Sequence, residues 1–213
     1  MPTDVASLPV IRPAHSADLP WLYEVCRATV DLRQHPEASH AELDPYLVGQ
    51  LYVAPYMAFE PAAAAVLSFE GRVQGYTLGT SDSKAFEAFL CDTWLPLARA
   101  QYPQNFTPLA ARDQDFLKAL HAPRPSLPAW LERYPAHLHA DLLPDYQGRG
   151  FGRKLVSHFL DYLRSNGCVG AHVDVARNNP AAIAFYKALG LSTVLQETAN
   201  GVILGSDLSD ARP

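Results

Sequence analysis

The segment Gln147-Gly148-Arg149-Gly150-Phe151-Gly152 combines three features that suit a phosphate ligand. Its glycines let the backbone come close to a ligand and take left-handed torsions that other residues avoid. A helical apolar pattern follows at once, so the free N–H groups at the positive end of a helix dipole open into the same turn. Arg149, Arg153 and Lys154 then place three cations within six residues. The spacing is neither GxxxxGKS/T nor GxGxxG, which argues against a nucleoside triphosphate or a dinucleotide.

The elements that hold this turn are readable from apolar period and breakers. Residues 1–8 read as a loose tail, and Val10-Ile11-Arg12-Pro13 as a first strand ended by proline. A helix starts at Ser16 or Asp18, has Pro20 in its first turn, and carries Leu19, Leu22, Val25, Cys26 and Thr29 on one stripe. Residues 40–53 give a weaker helix through Leu43, Leu47 and Leu51, and Pro55–Pro61 reads as a connector. Residues 64–69 and 73–80 form a β-hairpin turning at Gly71. Residues 82–135, chopped by prolines 96, 103, 108, 123, 125, 128 and 135, read as a helical insertion in a single domain over 1–213. Strands resume with His137–Pro144, ahead of the glycine turn. The helix behind the turn carries Leu155, Val156, Phe159, Leu160 and Leu163 and ends near Gly167. Ala171–Val175 is the next strand. Asn179 as N-cap, Pro180 as first helical residue and Gly190 just past the end delimit a helix over 180–189. Residues 192–196 and 202–208 close the chain as two strands, so the fold class is α+β with an α/β/α layering.

The 213 residues are 48% hydrophobic and 18% charged, a balance that buries a core without a disulfide or metal staple. With 22 acidic against 17 basic residues the net charge is −5, the wrong sign for a general nucleic-acid binder. Any polyanion must be met by a local cluster, which Arg149, Arg153 and Lys154 supply. Cys26, Cys91 and Cys168 are far apart, form no CxxC pair and sit beside apolar residues, so all three are expected to be buried hydrophobes. The start Met-Pro-Thr-Asp-Val-Ala lacks a basic and apolar leader, and no stretch reaches the roughly 20 apolar residues of a membrane span. A soluble, cytoplasmic protein without a membrane or nucleic-acid partner is expected.

Gln-x-x-Gly-x-Gly behind a strand ending in Pro144 resembles the acetyl-CoA-binding motif of the GNAT superfamily of N-acetyltransferases. Residues 178–190, Asn-Asn-Pro-Ala-Ala-Ile-Ala-Phe-Tyr-Lys-Ala-Leu-Gly, are similar to that superfamily's N-x-x-A-x-x-x-Y-x-x-x-G helix. The two motifs and the strand between them cover residues 137–195. The resemblance implies a central mixed, mostly antiparallel sheet of about seven strands flanked by helices, with 82–135 inserted between the third and fourth strands. It implies acetyl-CoA as cosubstrate and no metal. The coenzyme would be held by Gln147, Gly148, Arg149, Gly150, Phe151, Gly152, Arg153 and Lys154. By position it makes the Leu142 N–H the oxyanion donor and pairs Leu143 with the pantetheine arm. Asn179 then contacts that arm, and Tyr186 protonates the departing thiolate. Within the superfamily, Trp94-Leu95-Pro96, Tyr102-Pro103, Leu127-Pro128 and Tyr134-Pro135, with Gly75–Thr80 and Val202–Gly205, resemble the acetyltransferase-like C-terminal domain of metazoan O-GlcNAcase, of which this chain would be a bacterial stand-alone relative. The metazoan domains depart from Gln-x-x-Gly-x-Gly; this sequence keeps it.

Acetyl transfer to an amine also needs a base, because a lysine-like amine with a pKa near ~10.4 arrives protonated. Asp141 and Asp174, on strands flanking the expected cleft, are the leading candidates, with His139 and His172 behind them. The acceptor, whether protein, peptide or small molecule, stays open, as does monomer against dimer. The insertion 82–135 is expected to shape or cover the acceptor side. A binding module for acetyl-CoA or a peptide, without turnover, is the alternative reading.

Overall fold

The computed structural model describes residues 8–30, 39–108, 110–124 and 126–208, so residues 1–7 of the expected tail and Pro125 lie outside the described residues. Seven strands form one sheet: β1 (Val10–Pro13), β2 (Ala65–Phe69), β3 (Arg72–Thr80), β4 (Ala136–Leu142), β5 (Gly170–Ala176), β6 (Thr193–Glu197) and β7 (Gly201–Asp207). Their order is β1-β2-β3-β4-β5-β7-β6, and every pairing is antiparallel except β4 with β5. The mixed, mostly antiparallel sheet expected from the sequence is therefore present. The hairpin between β2 and β3 turns through Glu70 (φ 49°) and Gly71 (φ 76°), two positive torsions that match the strand twist.

The parallel contact is short. β4 and β5 are seven residues each, yet only Ala136↔Ala171 and His137↔His172 pair. On their outer sides β4 stays paired with β3 over six positions and β5 with β7 over seven. Beyond His137 and His172 the two central strands therefore diverge, and a gap opens in the middle of the sheet.

Helices cover both faces. They are α1 (Leu19–Thr29), α2 (Leu47–Tyr52), α3 (Ala54–Phe59), α4 (Ser83–Phe89), α5 (Leu95–Gln101), α6 (Ala111–His121), α7 (Phe151–Ser165) and α8 (Pro180–Lys187). Leu155, Val156, Phe159, Leu160 and Leu163 of α7 recur at helical spacing and are buried, Leu155 with Ala65 and Leu67 of β2 and the other four with Leu138, Val173 and Leu204 of the sheet. α1, α2 and the inserted helices bury Leu22, Val25, Leu47, Phe86, Leu117 and Leu120 around Tyr76 and Leu78 on the opposite face. None of the helices among the described residues is long and apolar enough to cross a membrane.

Residues 82–135 stand between the third and fourth strands and are fastened by buried polar contacts. The Asp113 carboxylate accepts the N–H groups of Asp44 (2.9 Å) and Ala110 (3.1 Å). The Asp44 carboxylate accepts the Tyr102 hydroxyl (3.0 Å), and Trp94 Nε1 donates to the Gln50 carbonyl (2.8 Å).

Several boundaries differ from the sequence reading. The single helix over 40–53 is a short turn at His40–Glu42, then α2, with a break at Val53 (φ −124°, ψ −67°). The expected connector Pro55–Pro61 contains most of α3, because Pro55 sits in the first turn, where its missing N–H costs nothing. The strand read as His137–Pro144 stops at Leu142, and Pro144–Tyr146 is a 3-10 turn. α8 stops at Lys187, two residues short of 189. It ends in a Schellman motif: Gly190 (φ 92°) donates to the Lys187 carbonyl and Leu191 to the Tyr186 carbonyl. Asp18 stands at the N-cap of α1, but its side chain does not cap that helix; its carboxylate takes Arg12 Nη1 and Nη2 (2.7 and 2.8 Å) and the His15 N–H (2.8 Å). Of the cysteines, Cys26 is buried but Cys91 is exposed beside Glu87.

Gly79 shows how tightly β3 is held against its neighbours. A Cβ there would lie 2.3 Å from the His137 carbonyl oxygen and 2.6 Å from the Phe159 ring. Backbone cannot yield as a side-chain tip does, so Gly79→Ala is expected to destabilise the fold by about 2 kcal/mol, lowering Tm by about 4–8 °C in a thermal melt.

Candidate active site

The glycine turn sits where β4 hands the chain to α7. Gly148 (φ 69°) and Gly150 (φ 81°) take the left-handed torsions the sequence reading required, and no atom lies within 4 Å of the Cβ either would carry. The first backbone hydrogen bond of α7 runs from Lys154 N–H to the Gly150 carbonyl (3.2 Å). Among the described hydrogen bonds none uses the N–H groups of residues 148–153, so a cradle of donors opens to solvent. Arg149, Arg153 and Lys154 are exposed around it, and none has an acidic ion-pair partner among the described residues. Gln147 plays a positioning part: its side-chain amide donates to the Leu142 carbonyl (2.8 Å), tying the turn to the end of β4.

The parity of β4 decides which backbone groups face the gap. Leu143 N–H donates to the Gln74 carbonyl (2.9 Å), which makes Leu142 and Gly75 a non-hydrogen-bonded pair. The N–H and C=O of Leu142 therefore point away from β3, toward the gap, while its carbonyl is met by Gln147. Leu143 corrects the sequence expectation. Its N–H goes to Gln74 and its carbonyl accepts the Tyr146 N–H (2.9 Å), so it turns no free N–H toward the gap to pair with a pantetheine arm.

Tyr186 reaches the gap from α8. It is buried, with its hydroxyl near the backbone of Ala140, two residues before Leu142. Burial, followed by the nearby Asp141 carboxylate, raises its pKa above the ordinary tyrosine value, so it holds its proton. Asn179 caps α8 through Oδ1, which accepts the Ala182 N–H (3.1 Å); only its amide nitrogen remains for a ligand.

On the face opposite α7, the alternation of β4 lines up His137, His139 and Asp141, and that of β5 lines up His172 and Asp174. A cleft of about 890 Å³ lies over all of these but Asp141, walled by insertion residues that include Phe86, Leu90, Leu95, Leu127 and Trp130. His137 is locked as a neutral ring. The Ser83 hydroxyl donates to the Pro135 carbonyl (2.6 Å), so His137 Nδ1–H donates to Ser83 Oγ (2.7 Å) and Nε2 accepts the Tyr56 hydroxyl (2.8 Å). His172 donates Nδ1–H to the Tyr134 carbonyl (2.8 Å), leaving Nε2 as an acceptor. Burial pushes the His137 pKa down to about 3 and that of His172 down to about 4.

The two candidate carboxylates stand apart. Asp174 lines the large cleft, has no hydrogen-bond or ion-pair partner among the described residues, and has its pKa raised by desolvation. Asp141 accepts the Tyr76 hydroxyl (2.7 Å), lies 3.6 Å from His139 Nδ1, and lines a smaller cavity of about 280 Å³ next to the cleft. Tyr56, Ser83, Trp130 and Arg112 were not singled out in the sequence. The His-x-His-x-Asp alternation at 137–141 was the available signal that one face of β4 is polar. Its partners lie 54 and 81 positions away, in Ser83 and Tyr56, which no local pattern marks.

The neutral imidazoles have a pH consequence. Their folded pKa values lie below the unfolded value near ~6.5, so the stability tied to the neutral form is complete above that pH and is lost as pH falls toward about 4. Urea midpoints for the wild type are expected to drop between pH 6.5 and 4.5, and His172→Gln is expected to flatten that slope.

The family model described as "Acetyltransferase (GNAT) family" matches residues 136–191, the stretch that holds β4, the glycine turn, α7, β5 and α8. Protein O-GlcNAcase of Rattus norvegicus is 23% identical over 211 residues, 97% of this chain; the chain spans only 23% of that relative's length. The [ribosomal protein bS18]-alanine N-acetyltransferase of Salmonella typhimurium is 45% identical over 49 residues, 23% of this chain and 33% of that one. Among solved structures, SsHAT superposes with a TM-score of 0.80 at 35% identity, covering 94% of this chain and 98% of its own. With the divided sheet, the donor-lined turn and the tyrosine in the gap, these likenesses make the chain a member of the GNAT acetyltransferase family.

Proposed function

We propose that the protein is an acetyl-CoA-dependent N-acetyltransferase acting by direct attack of an amine on the thioester. The observation that carries this reading is the alignment of three features at one gap: N–H donors at residues 148–153 and cations at 149, 153 and 154 that have no acceptor or acidic partner among the described residues, the Leu142 N–H facing the gap, and the Tyr186 hydroxyl near Ala140. The residues fit the coenzyme on the structure's own terms, since the turn offers open space at Gly148 and Gly150 and donors without acceptors. Bound there, acetyl-CoA supplies an acetyl group activated as a thioester. The amine acceptor has support in the bS18-alanine N-acetyltransferase likeness.

Each residue then has a defined task. The turn N–H groups and Arg149, Arg153 and Lys154 hold phosphates. The Leu142 N–H stabilises negative charge on the carbonyl oxygen, a contact typically worth ~3–4 kcal/mol. Asp174 takes the proton the ammonium must lose: it is unpaired and desolvated, so its proton affinity is raised toward that of a working base. Tyr186 keeps its proton until the sulfur leaves and then donates it. The new N–C bond forms as the C–S bond breaks; the ammonium gives one proton to Asp174, and the second N–H proton, shed as the adduct becomes an amide, replaces the one Tyr186 gives to the sulfur, so one proton is released overall.

Coenzyme A release with a panel of primary amines is expected to show turnover. Tyr186→Phe is expected to lower kcat roughly tenfold, a modest effect because a thiolate of pKa near ~8.5 leaves readily. Asp174→Asn is expected to lower kcat/KM at neutral pH by about a hundredfold. Acetyl-CoA binding with no turnover on any amine would instead favour a binding module, and no binding of acetyl-CoA would contradict the reading altogether.

A further inference from the structure

Three buried side-chain polar atoms have no hydrogen-bond partner among the described residues: Arg112 Nε, Asp113 Oδ1 and His139 Nε2. Arg112 and His139 line the same open pocket of about 280 Å³, bordered by α1, α2, α6 and β4. Buried groups left unpaired in this way are costly unless something fills the space between them. The cavity is bipolar. At one end Arg112 is fixed by Asp115, which takes Nη1 at 3.0 Å, and by the Phe116 ring, 4.9 Å beneath the guanidinium. At the other end are His139 and Asp141.

The occupant must give a lone pair to an Arg112 N–H and an N–H to His139 or Asp141. A carboxylate and an amine on one carbon do both. Tyr52 and His139 also line the large cleft, so the two spaces adjoin, and the walls beyond them, Phe86, Leu90, Leu95 and Trp130, are apolar. His139 and Asp141 flank Ala140, the residue of β4 near which the Tyr186 hydroxyl lies. An amine held by them is therefore at the gap.

On the acetyl-transfer reading, we propose that the acceptor is a free α-amino acid with an apolar or aromatic side chain. Its carboxylate is held by Arg112 in the small cavity, its amine lies at His139, which lines both spaces and so opens the amine to the cleft that Asp174 lines, and its side chain enters that large cleft. A peptide N-terminus has no carboxylate to place on Arg112, and a simple amine leaves its Nε, the nitrogen for which no partner is found among the described residues, unmatched. A bidentate or charge-assisted guanidinium–carboxylate contact is the strong term that sets the preference.

The test compares L-phenylalanine, L-phenylalaninamide and phenethylamine, which differ only in the group offered to Arg112. With acetyl-CoA, kcat/KM is expected to be at least tenfold higher for phenylalanine than for the other two. That ratio is expected to fall toward one in Arg112→Gln, with Arg112→Lys, which keeps the charge, in between. Turnover of the amide or the amine as fast as of the acid would overturn the proposal while leaving acetyl transfer intact. Calorimetry with N-acetyl-L-phenylalanine and its amide, on the protein saturated with coenzyme A, needs no turnover. At least tenfold tighter binding of the acid, lost in Arg112→Gln, supports the subsite even if the transfer reading fails; equal binding of both, or binding of neither, contradicts it.

Discussion

The rest of the structure depends on two strands that stop pairing. After Ala136↔Ala171 and His137↔His172, β4 and β5 part while each keeps its other neighbour. A backbone edge deprived of its ladder presents unpaired donors and acceptors, which ordinary sheets avoid. Here that edge lies in the middle of the sheet, where helices on both faces stop it from pairing with another chain. The gap becomes a slot whose walls hydrogen-bond, with the donor-rich turn at one end and the cleft over it.

Holding the strands apart requires a rigid frame around the last paired residues. His137 and His172 stand there, and each is fixed by contacts that specify a neutral tautomer: Ser83 and Tyr56 for His137, the Tyr134 carbonyl for His172. Their rings lie 5.5 Å apart, and Trp130 packs edge-on against His172 at 4.7 Å. Two charged imidazoles at that spacing would repel and would be desolvated as well, so the cleft floor is built to stay uncharged. Asp174, one alternate position further along β5, is the carboxylate that this neutral floor leaves exposed to a ligand. Ser83 and Trp130 come from the insertion, so the insertion both walls the cleft and sets the protonation of its floor.

What was legible in the sequence was local. The cap and stop signals around α8 are carried by Asn179, Pro180 and Gly190, each acting on its own backbone, and they placed the helix to within two residues. The glycine turn was legible for the same reason, since left-handed torsions at Gly148 and Gly150 are demanded by residue type. Pro55 misled because one residue type serves as breaker and as first-turn residue, and only packing against β3 distinguishes the two. The failure of the expectation for Leu143, while that for Leu142 stands, is a matter of parity. A strand's hydrogen-bonding direction alternates with every residue, and the alternation is set by pairing with Gln74, far away in the chain. The polar row His137, His139 and Asp141 was visible as a period of two, but the tautomers and charges depend on Tyr56, Tyr76 and Ser83, which tertiary structure alone brings near.

Backbone amide exchange, followed residue by residue by NMR on the full chain, tests the central claim most directly. Added acetyl-CoA should slow exchange and shift the resonances at Leu142 and across residues 148–153, where the N–H groups have no acceptor among the described residues, with little change at Leu143, already bonded to Gln74. Protection confined to other surfaces, or unchanged exchange at Leu142 and the turn under saturating acetyl-CoA, would contradict a coenzyme slot between β4 and β5.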